Sequence, residues 1–270
     1  MGICKTIMFS IQKGGVAKTT TTAIMAHMMA SDGNKVLLID FDPQANLSEM
    51  MLDVESNEFV GKSVLEAIYE NDIVPYIYPV SNQVHIVPST NFLSAFEKLV
   101  YMSKTYDNQK ITIKDNPYFL LDNILEQVRN EYDYILIDTP PSLGSHMLNA
   151  LCASDYVIAL FNPGRFSLSA LPNFFDAVEE ANKISRHDLK LAGILPTMCD
   201  TRRIDVRTYL EIIEEDEDYN KLVFKNIVPF RASNARLSTY GINDNPEIYE
   251  LETLYKYIYL ELKERLMRNE

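Results

Sequence analysis

The sequence predicts an α/β fold, a single domain over residues 1–270 with one mostly parallel, twisted sheet and helices on both faces. Three observations carry this. Short apolar runs, many of them β-branched, recur along the chain with helical stretches between them, the pattern of repeated βαβ units. Two of these runs, Lys35-Val36-Leu37-Leu38-Ile39-Asp40 and Tyr134-Ile135-Leu136-Ile137-Asp138, end in a carboxylate, and ligands of open α/β sheets bind at the carboxyl ends of strands. A glycine-containing loop joins the first apolar run to the first helical stretch.

The first run, Thr6-Ile7-Met8-Phe9, is the expected first strand, and residues 23–30 the helix that follows the loop. In the loop, Gly14 and Gly15 let the backbone pass close to an anion. Successive amides of Val16, Ala17, Lys18, Thr19 and Thr20 then lie near the positive end of the helix dipole. Lys18 supplies a cation for the β- and γ-phosphates of a nucleotide, and the Thr19 hydroxyl is placed to ligate Mg²⁺. The ordinary phosphate-loop pattern, G-x-x-x-x-G-K-S/T, fails at both glycines, where Gln12 and Ala17 stand, and a second lysine occupies position 13.

The strand at 35–40 ends in Asp40 and continues as Phe41-Asp42-Pro43-Gln44-Ala45-Asn46-Leu47-Ser48. Pro43 keeps the residue before it out of the helical region, so Asp42 is held at an extended bend. An N-cap or Asx-turn role is the alternative for this aspartate. Residues 51–115 are the least regular part, with a short helix expected at 61–70, a strand at 83–88 and a helix at 91–103. His85 alternates with apolar neighbours and has no partner at metal-ligand spacing, so it reads as an ordinary strand histidine. Helical periodicity returns over 117–130, followed by the strand that ends in Asp138, whose carboxylate is suited to bind Mg²⁺ directly or through water. Further strands are expected at 156–160, 189–195 and 223–228. A C-terminal helix begins near Pro246, with Leu251, Leu254, Tyr255, Ile258, Leu262 and Leu266 on one face. That stripe reads as core, because its polar face mixes acids and bases and lacks the basic bias that an anionic bilayer favours.

Composition narrows the function. With 47% hydrophobic residues, 270 residues can bury one large core. No apolar run is long enough to span a bilayer and no signal-like leader opens the sequence, so a cytoplasmic location is expected. Cys4, Cys152 and Cys199 have no paired spacing for a disulfide, zinc or iron–sulfur site and read as buried small hydrophobes. The net charge of −13 argues against indiscriminate nucleic-acid binding by the whole surface and leaves room only for a local basic patch. Six carboxylates among the eight residues 211–218 read as the solvated end of a helix.

The loop Lys13-Gly14-Gly15-Val16-Ala17-Lys18-Thr19 resembles the deviant Walker A motif, K-G-G-x-x-K-S/T, of the ParA/MinD group of P-loop ATPases, with Ala17 where glycine is commoner. The D-F-D-P-Q stretch from Asp40 and the D-T-P-P stretch from Asp138 resemble two further motifs of ParA/Soj-type partition proteins. The resemblance implies an ATP- and Mg²⁺-dependent ATPase. In it Lys13 reaches the nucleotide of a partner subunit, Lys18 acts in its own, and Asp42 positions the attacking water, with Thr19, Asp138 and Asp42 as the metal set. Met198, within a T-M-x-D-x-R-like segment, and Pro229, Phe230 and Arg231, within an I-P-R-x-x-x-x-R-L-S-like one, are implied to border the base.

The partners implied are a second copy with ATP sandwiched between the two, nonspecific DNA reached through Arg203, Arg207, Lys225 and Arg236, and a centromere-binding ParB-like adaptor that stimulates hydrolysis. The expected place of action is therefore the nucleoid, with no membrane partner and no N-terminal helix-turn-helix extension. A MinD-like membrane-cycling ATPase, a cluster carrier like the nitrogenase iron protein, a bacterial tyrosine kinase and a slow nucleotide-gated scaffold are the alternatives. The C-terminal charge balance disfavours the first, the cysteine spacing the second, and the helical setting of Tyr255, Tyr257 and Tyr259 the third.

Overall fold

The computed structural model describes residues 4–11, 13–103, 116–231, 237, 241–242 and 245–268. In chain order its main elements begin with β1 (Lys5–Ser10), α1 (Lys18–Ser31), β2 (Val36–Asp40), α2 (Asn46–Leu52) and α3 (Val64–Glu70). The irregular middle of the chain contributes β3 (Tyr78–Pro79), β4 (Val84–Val87), α4 (Phe96–Ser103) and α5 (Leu120–Leu125). The second half supplies β5 (Tyr134–Asp138), α6 (Ser145–Cys152), β6 (Tyr156–Phe161), α7 (Arg165–Ile184), β7 (Lys190–Pro196), α8 (Ile204–Glu215) and α9 (Ile248–Arg268).

The strands form one seven-stranded sheet in the order β3-β4-β2-β5-β1-β6-β7. All neighbouring pairs are parallel except β3 with β4. The central strands are covered on both faces, which is why β2 and β6 read as continuous apolar runs and every residue of each is buried. β1 lies between β5 and β6, so the chain winds to one side of it through α1 and β2 and to the other through β6. The resulting crevice at the carboxyl ends is where an open α/β sheet binds ligand.

Pairing of β2 with β5 sets Asp40 directly beside Asp138. The apolar stripe of α9, Leu251, Tyr255, Ile258, Leu262 and Leu266, is buried, and the Tyr255 hydroxyl lies 3.3 Å from Thr21 Oγ1 of α1. This burial accounts for the C-terminal stripe as core. No helix among the described residues is long and apolar enough to cross a membrane.

Three expectations need correction or refinement. The helix foreseen over 117–130 is regular only in α5. Beyond it, Gln127 N donates to Ile124 O at 3.3 Å and Val128 N to Leu125 O at 3.0 Å, a tighter three-residue pattern ending in the 3₁₀ turn Arg129–Glu131. The stretch foreseen as a helix at 91–103 begins instead with a 3₁₀ turn, Asn91–Ala95, before α4.

The strand foreseen at 223–228 exists only as isolated parallel bridges, Ile194 with Val223 and Cys199 with Pro229. The Asn226 amide, which a continuous ladder to β7 would need, is taken instead by the Glu261 carboxylate of α9 at 3.2 Å, and the same carboxylate accepts the Lys225 amide at 3.0 and 3.1 Å. His85 behaves as an ordinary strand residue, with Nδ1 2.7 Å from the Tyr132 hydroxyl. The three cysteines are buried and unpaired, and burial pushes their thiols up to about 12.

Candidate active site

The loop after β1 turns back on itself before α1 begins. Gly15 has φ 70°, and Ala17 sits at φ 63°, ψ 34° as the residue before the helix. Both are left-handed, and for alanine that conformation costs about 1–2 kcal/mol against glycine's near indifference. A Cβ placed on Gly14 or Gly15 would meet nothing within 4 Å, so the loop borders open space at both glycines. The Thr197 hydroxyl, just past β7, donates to Val16 O at 3.0 Å and ties the loop to the far side of the crevice.

Side chains from three strand ends converge on this loop. Thr19 Oγ1 donates to Asp138 Oδ2 at 2.6 Å. Asp138 is buried, and its other oxygen, Oδ1, has no hydrogen-bond partner. Burial pushes the Asp138 carboxyl up to about 7, with the Thr19 bond and the Lys18 charge pulling the other way. Asp40 beside it is wholly buried and is pushed up to about 8 by burial and by the charge on Asp138.

The Asp40 oxygens are saturated by neighbours: the Ser48 amide at 2.8 Å, the Ser48 hydroxyl at 2.6 Å and the Asp42 amide at 3.2 Å. Asp40 therefore holds the β2 loop in place, whereas Asp138 keeps a free oxygen. A hydroxyl and an unsatisfied carboxylate oxygen form a hard, oxygen-only donor set, which fits Mg²⁺.

Lys18 is buried, and burial lowers its ammonium while the charges of Asp138 and Asp42 hold it up. Its Nζ donates to Lys13 O at 3.4 Å, across the mouth of the loop. Asp42 is buried, and its Oδ1 accepts the Gln44 amide at 2.9 Å, so the Asx turn does form and fixes the carboxylate's direction. The Lys13 side chain lies across the loop with Nζ 3.0 Å from Ser167 Oγ, near the start of α7. Ser167, Thr197 and Ser48 were not singled out from the sequence. Of the three, Ser48 and Thr197 lie in the motif-like stretches, while no local pattern marks Ser167.

A family model described as an AAA domain matches residues 4–191. The chain is 33% identical over 267 residues to the chromosome partitioning protein ParA of Myxococcus xanthus, covering 98% of this chain and 88% of that one. The chain belongs to the ParA/Soj group of partition ATPases. Among the solved structures that share its fold are two with bound nucleotide analogues. One is a plasmid partition protein of Borrelia burgdorferi bound to AMPPNP, with TM-score 0.73 and 27% identity over 100% of both chains. The other is cobyrinic acid a,c-diamide synthase of Mycobacterium smegmatis with an ATP analogue and magnesium, with TM-score 0.74 and 25% identity over 88% of this chain and 92% of that one.

In this ParA-type chain the residues expected at the base come from two segments that meet. Cys199 N donates to Val228 O at 3.0 Å and Phe230 N to Cys199 O at 3.0 Å, which sets Met198 alongside Pro229 and Phe230. Met198 is itself left-handed, at φ 55°, and Phe230 and Arg231 are exposed. The arginines expected to touch DNA differ in their surroundings. Arg203 is engaged by Asp205 at 2.6 and 3.1 Å, as Arg202 is by Asp200 at 2.8 and 2.9 Å. Arg207 and Lys225 are exposed, and Arg236 lies outside the described residues.

Proposed function

We propose that this protein is a Mg²⁺-dependent ATPase that dimerises around ATP, binds DNA without sequence preference in that state, and is stimulated by a centromere-binding ParB-like adaptor to hydrolyse ATP and release. The observation that carries this is the cluster at the start of α1, where Thr19 meets Asp138, Asp138 keeps one buried oxygen unsatisfied, and Lys18 stands beside an open loop. Under this reading residues 1–270 act as one domain on the nucleoid in the cytoplasm.

The amides of residues 14–20 and Lys18 hold the phosphates, and Thr19 with Asp138, aided by Asp42, would hold Mg²⁺, which would supply positive charge against the phosphate oxygens. Asp42 orients a water whose oxygen attacks the γ-phosphorus. The bond to the ADP oxygen breaks, and the water's proton leaves with the phosphate or solvent. Lys13 leaves Ser167 and reaches the phosphates of the partner's nucleotide. Met198, Pro229, Phe230 and Arg231 border the base, and Arg203, Arg207, Lys225 and Arg236 contribute to a DNA surface that doubles on dimerisation. The test is the ATPase rate with and without DNA, and again with the protein encoded by the neighbouring gene. Stimulation only when both are present is the expected result, and a rate indifferent to both would overturn the partition assignment.

A further inference from the structure

Behind the water-positioning aspartate lies a cluster that the ATPase assignment does not use. His146, the second residue of α6, is buried. Its ring centroid lies 5.4 Å from that of Phe41 and 5.0 Å from that of Phe96, and the two phenyl rings are 5.1 Å apart at 70°. Of the three side chains, that of His146 makes a hydrogen bond among the described residues, from Nε2 to Leu93 O at 3.1 Å. A carbonyl can only accept, so Nε2 carries a proton. Burial lowers the imidazole, against the Leu93 bond and the charges of Glu97 and Asp42.

The three rings come from three different segments at the carboxyl edge of the sheet. Phe41 stands between Asp40 and Asp42 and is wholly buried, with its amide donating to Asp138 O at 2.8 Å. Phe96 opens α4, directly after the 3₁₀ turn that contains Leu93. His146 follows the turn that leaves Asp138. Aromatic edges interlock with preferred angles, and a buried polar bond has a defined direction, so together they fix relative position better than aliphatic packing of the same area.

We infer that His146 is a positioning residue for hydrolysis: through the Phe41 ring and the Leu93 carbonyl it sets where Asp42 stands relative to the turn after Asp138. This rests on the ATPase assignment above and on Asp42 as the residue that orients water. The His146 ring packs on Phe41, Phe96 and the Leu93 carbonyl rather than on the loop that holds Lys18 and Thr19, so its loss is expected to act on the chemical step and to spare ATP binding.

The test uses the full chain with ATP, Mg²⁺, DNA and adaptor, comparing His146→Leu, which keeps apolar bulk but removes the donor, with His146→Gln, which keeps an N–H able to reach Leu93. A displacement on the order of 1 Å at a reacting group lowers a rate up to about a hundredfold, so His146→Leu is expected to lower kcat by about tenfold or more with KM changed less than about twofold. His146→Gln is expected to recover most of kcat. If His146→Leu does not fold, Phe96→Leu, which keeps the Leu93 bond and removes one ring, is read in the same way, with a smaller loss of kcat at constant KM. Parental kcat in the leucine variant, a KM that rises in step with the fall in kcat, or a glutamine variant no better than leucine would each overturn the inference. A parent protein with no ATPase activity would instead overturn the ATPase assignment itself, and the two failures are distinct.

Discussion

Ala17 stands where the family's phosphate loop more commonly has glycine, and among the described residues of the loop it is the one non-glycine residue held in a left-handed conformation, at φ 63°, ψ 34°. Replacing it with glycine should relieve about 1.5 kcal/mol of backbone strain. Against that stand about 0.7 kcal/mol for the greater freedom of glycine in the unfolded chain and about 0.4 kcal/mol for a half-buried methyl group. The net is a stabilisation of about 0.4 kcal/mol, or a rise in Tm of roughly 1 °C for a chain of this size. Ala17→Val should go the other way, because a β-branched residue in this region is strained by a further ~1–3 kcal/mol. Its Tm should fall by several degrees. Calorimetry of the nucleotide-free protein, with urea unfolding to check that the m-value is unchanged, measures both. The expected order of stability is Ala17→Gly, then parent, then Ala17→Val. A valine variant as stable as the parent, or a glycine variant clearly less stable, would show that the loop does not hold Ala17 as described.

Other expectations concern the site and the frame behind it. Lys18→Ala should abolish ATP binding, because a buried cation facing several phosphate charges is lost; unchanged affinity by equilibrium titration would contradict the phosphate-loop assignment. Lys13→Ala should still bind ATP but fail to dimerise, and normal dimerisation of that variant in sedimentation would remove its role across the interface. Arg203→Ala combined with Arg236→Ala should weaken DNA binding and lower its salt slope, although the engagement of Arg203 by Asp205 makes the share from Arg203 the smaller one. Arg129→Met should cost about 1.5–3 kcal/mol, because the buried Asp122 carboxylate loses the Arg129 contact at 3.2 Å and keeps His187 at 2.7 Å and Arg186 at 3.6 Å. Burial opposes ionisation of Asp122, but the His187 bond and charge and the Arg129 guanidinium outweigh it and hold the carboxyl below its ordinary value. That contribution is present above about pH 4 and is lost as pH falls through the lowered folded value, so the stability gap between parent and variant should narrow below pH ~4 in acid titrations.

The parallel strands were legible because burial on both faces leaves a continuous apolar signature, and a carboxylate at the last position of β2 and β5 marked the ligand edge. The phosphate loop was legible for the same local reason, since glycine, lysine and hydroxyl stand at fixed spacing in a strand-to-helix turn. What the sequence hid depends on side chains distant along the chain. Residues 223–228 have the apolar spacing of a strand, yet Glu261 draws the Asn226 amide away from β7. The helix at 117–130 ends early, where the chain tightens and Arg129 enters the network with Asp122 and His187. Ser167 stands 154 residues from Lys13, and His146 joins two phenylalanines from separate segments, so no window along the sequence brings either set together.

The central claim, that ATP is held between two copies of this chain and hydrolysed through Asp42, is tested most directly by sedimentation velocity of the Asp42→Ala variant with ATP and Mg²⁺. That variant keeps Lys13, Lys18, Thr19 and Asp138, so it should bind ATP, accumulate as a dimer and release no phosphate, and it should return to monomer when EDTA is added. A variant that stays monomeric at saturating ATP, or a dimer that still turns over at the parental rate, would contradict it.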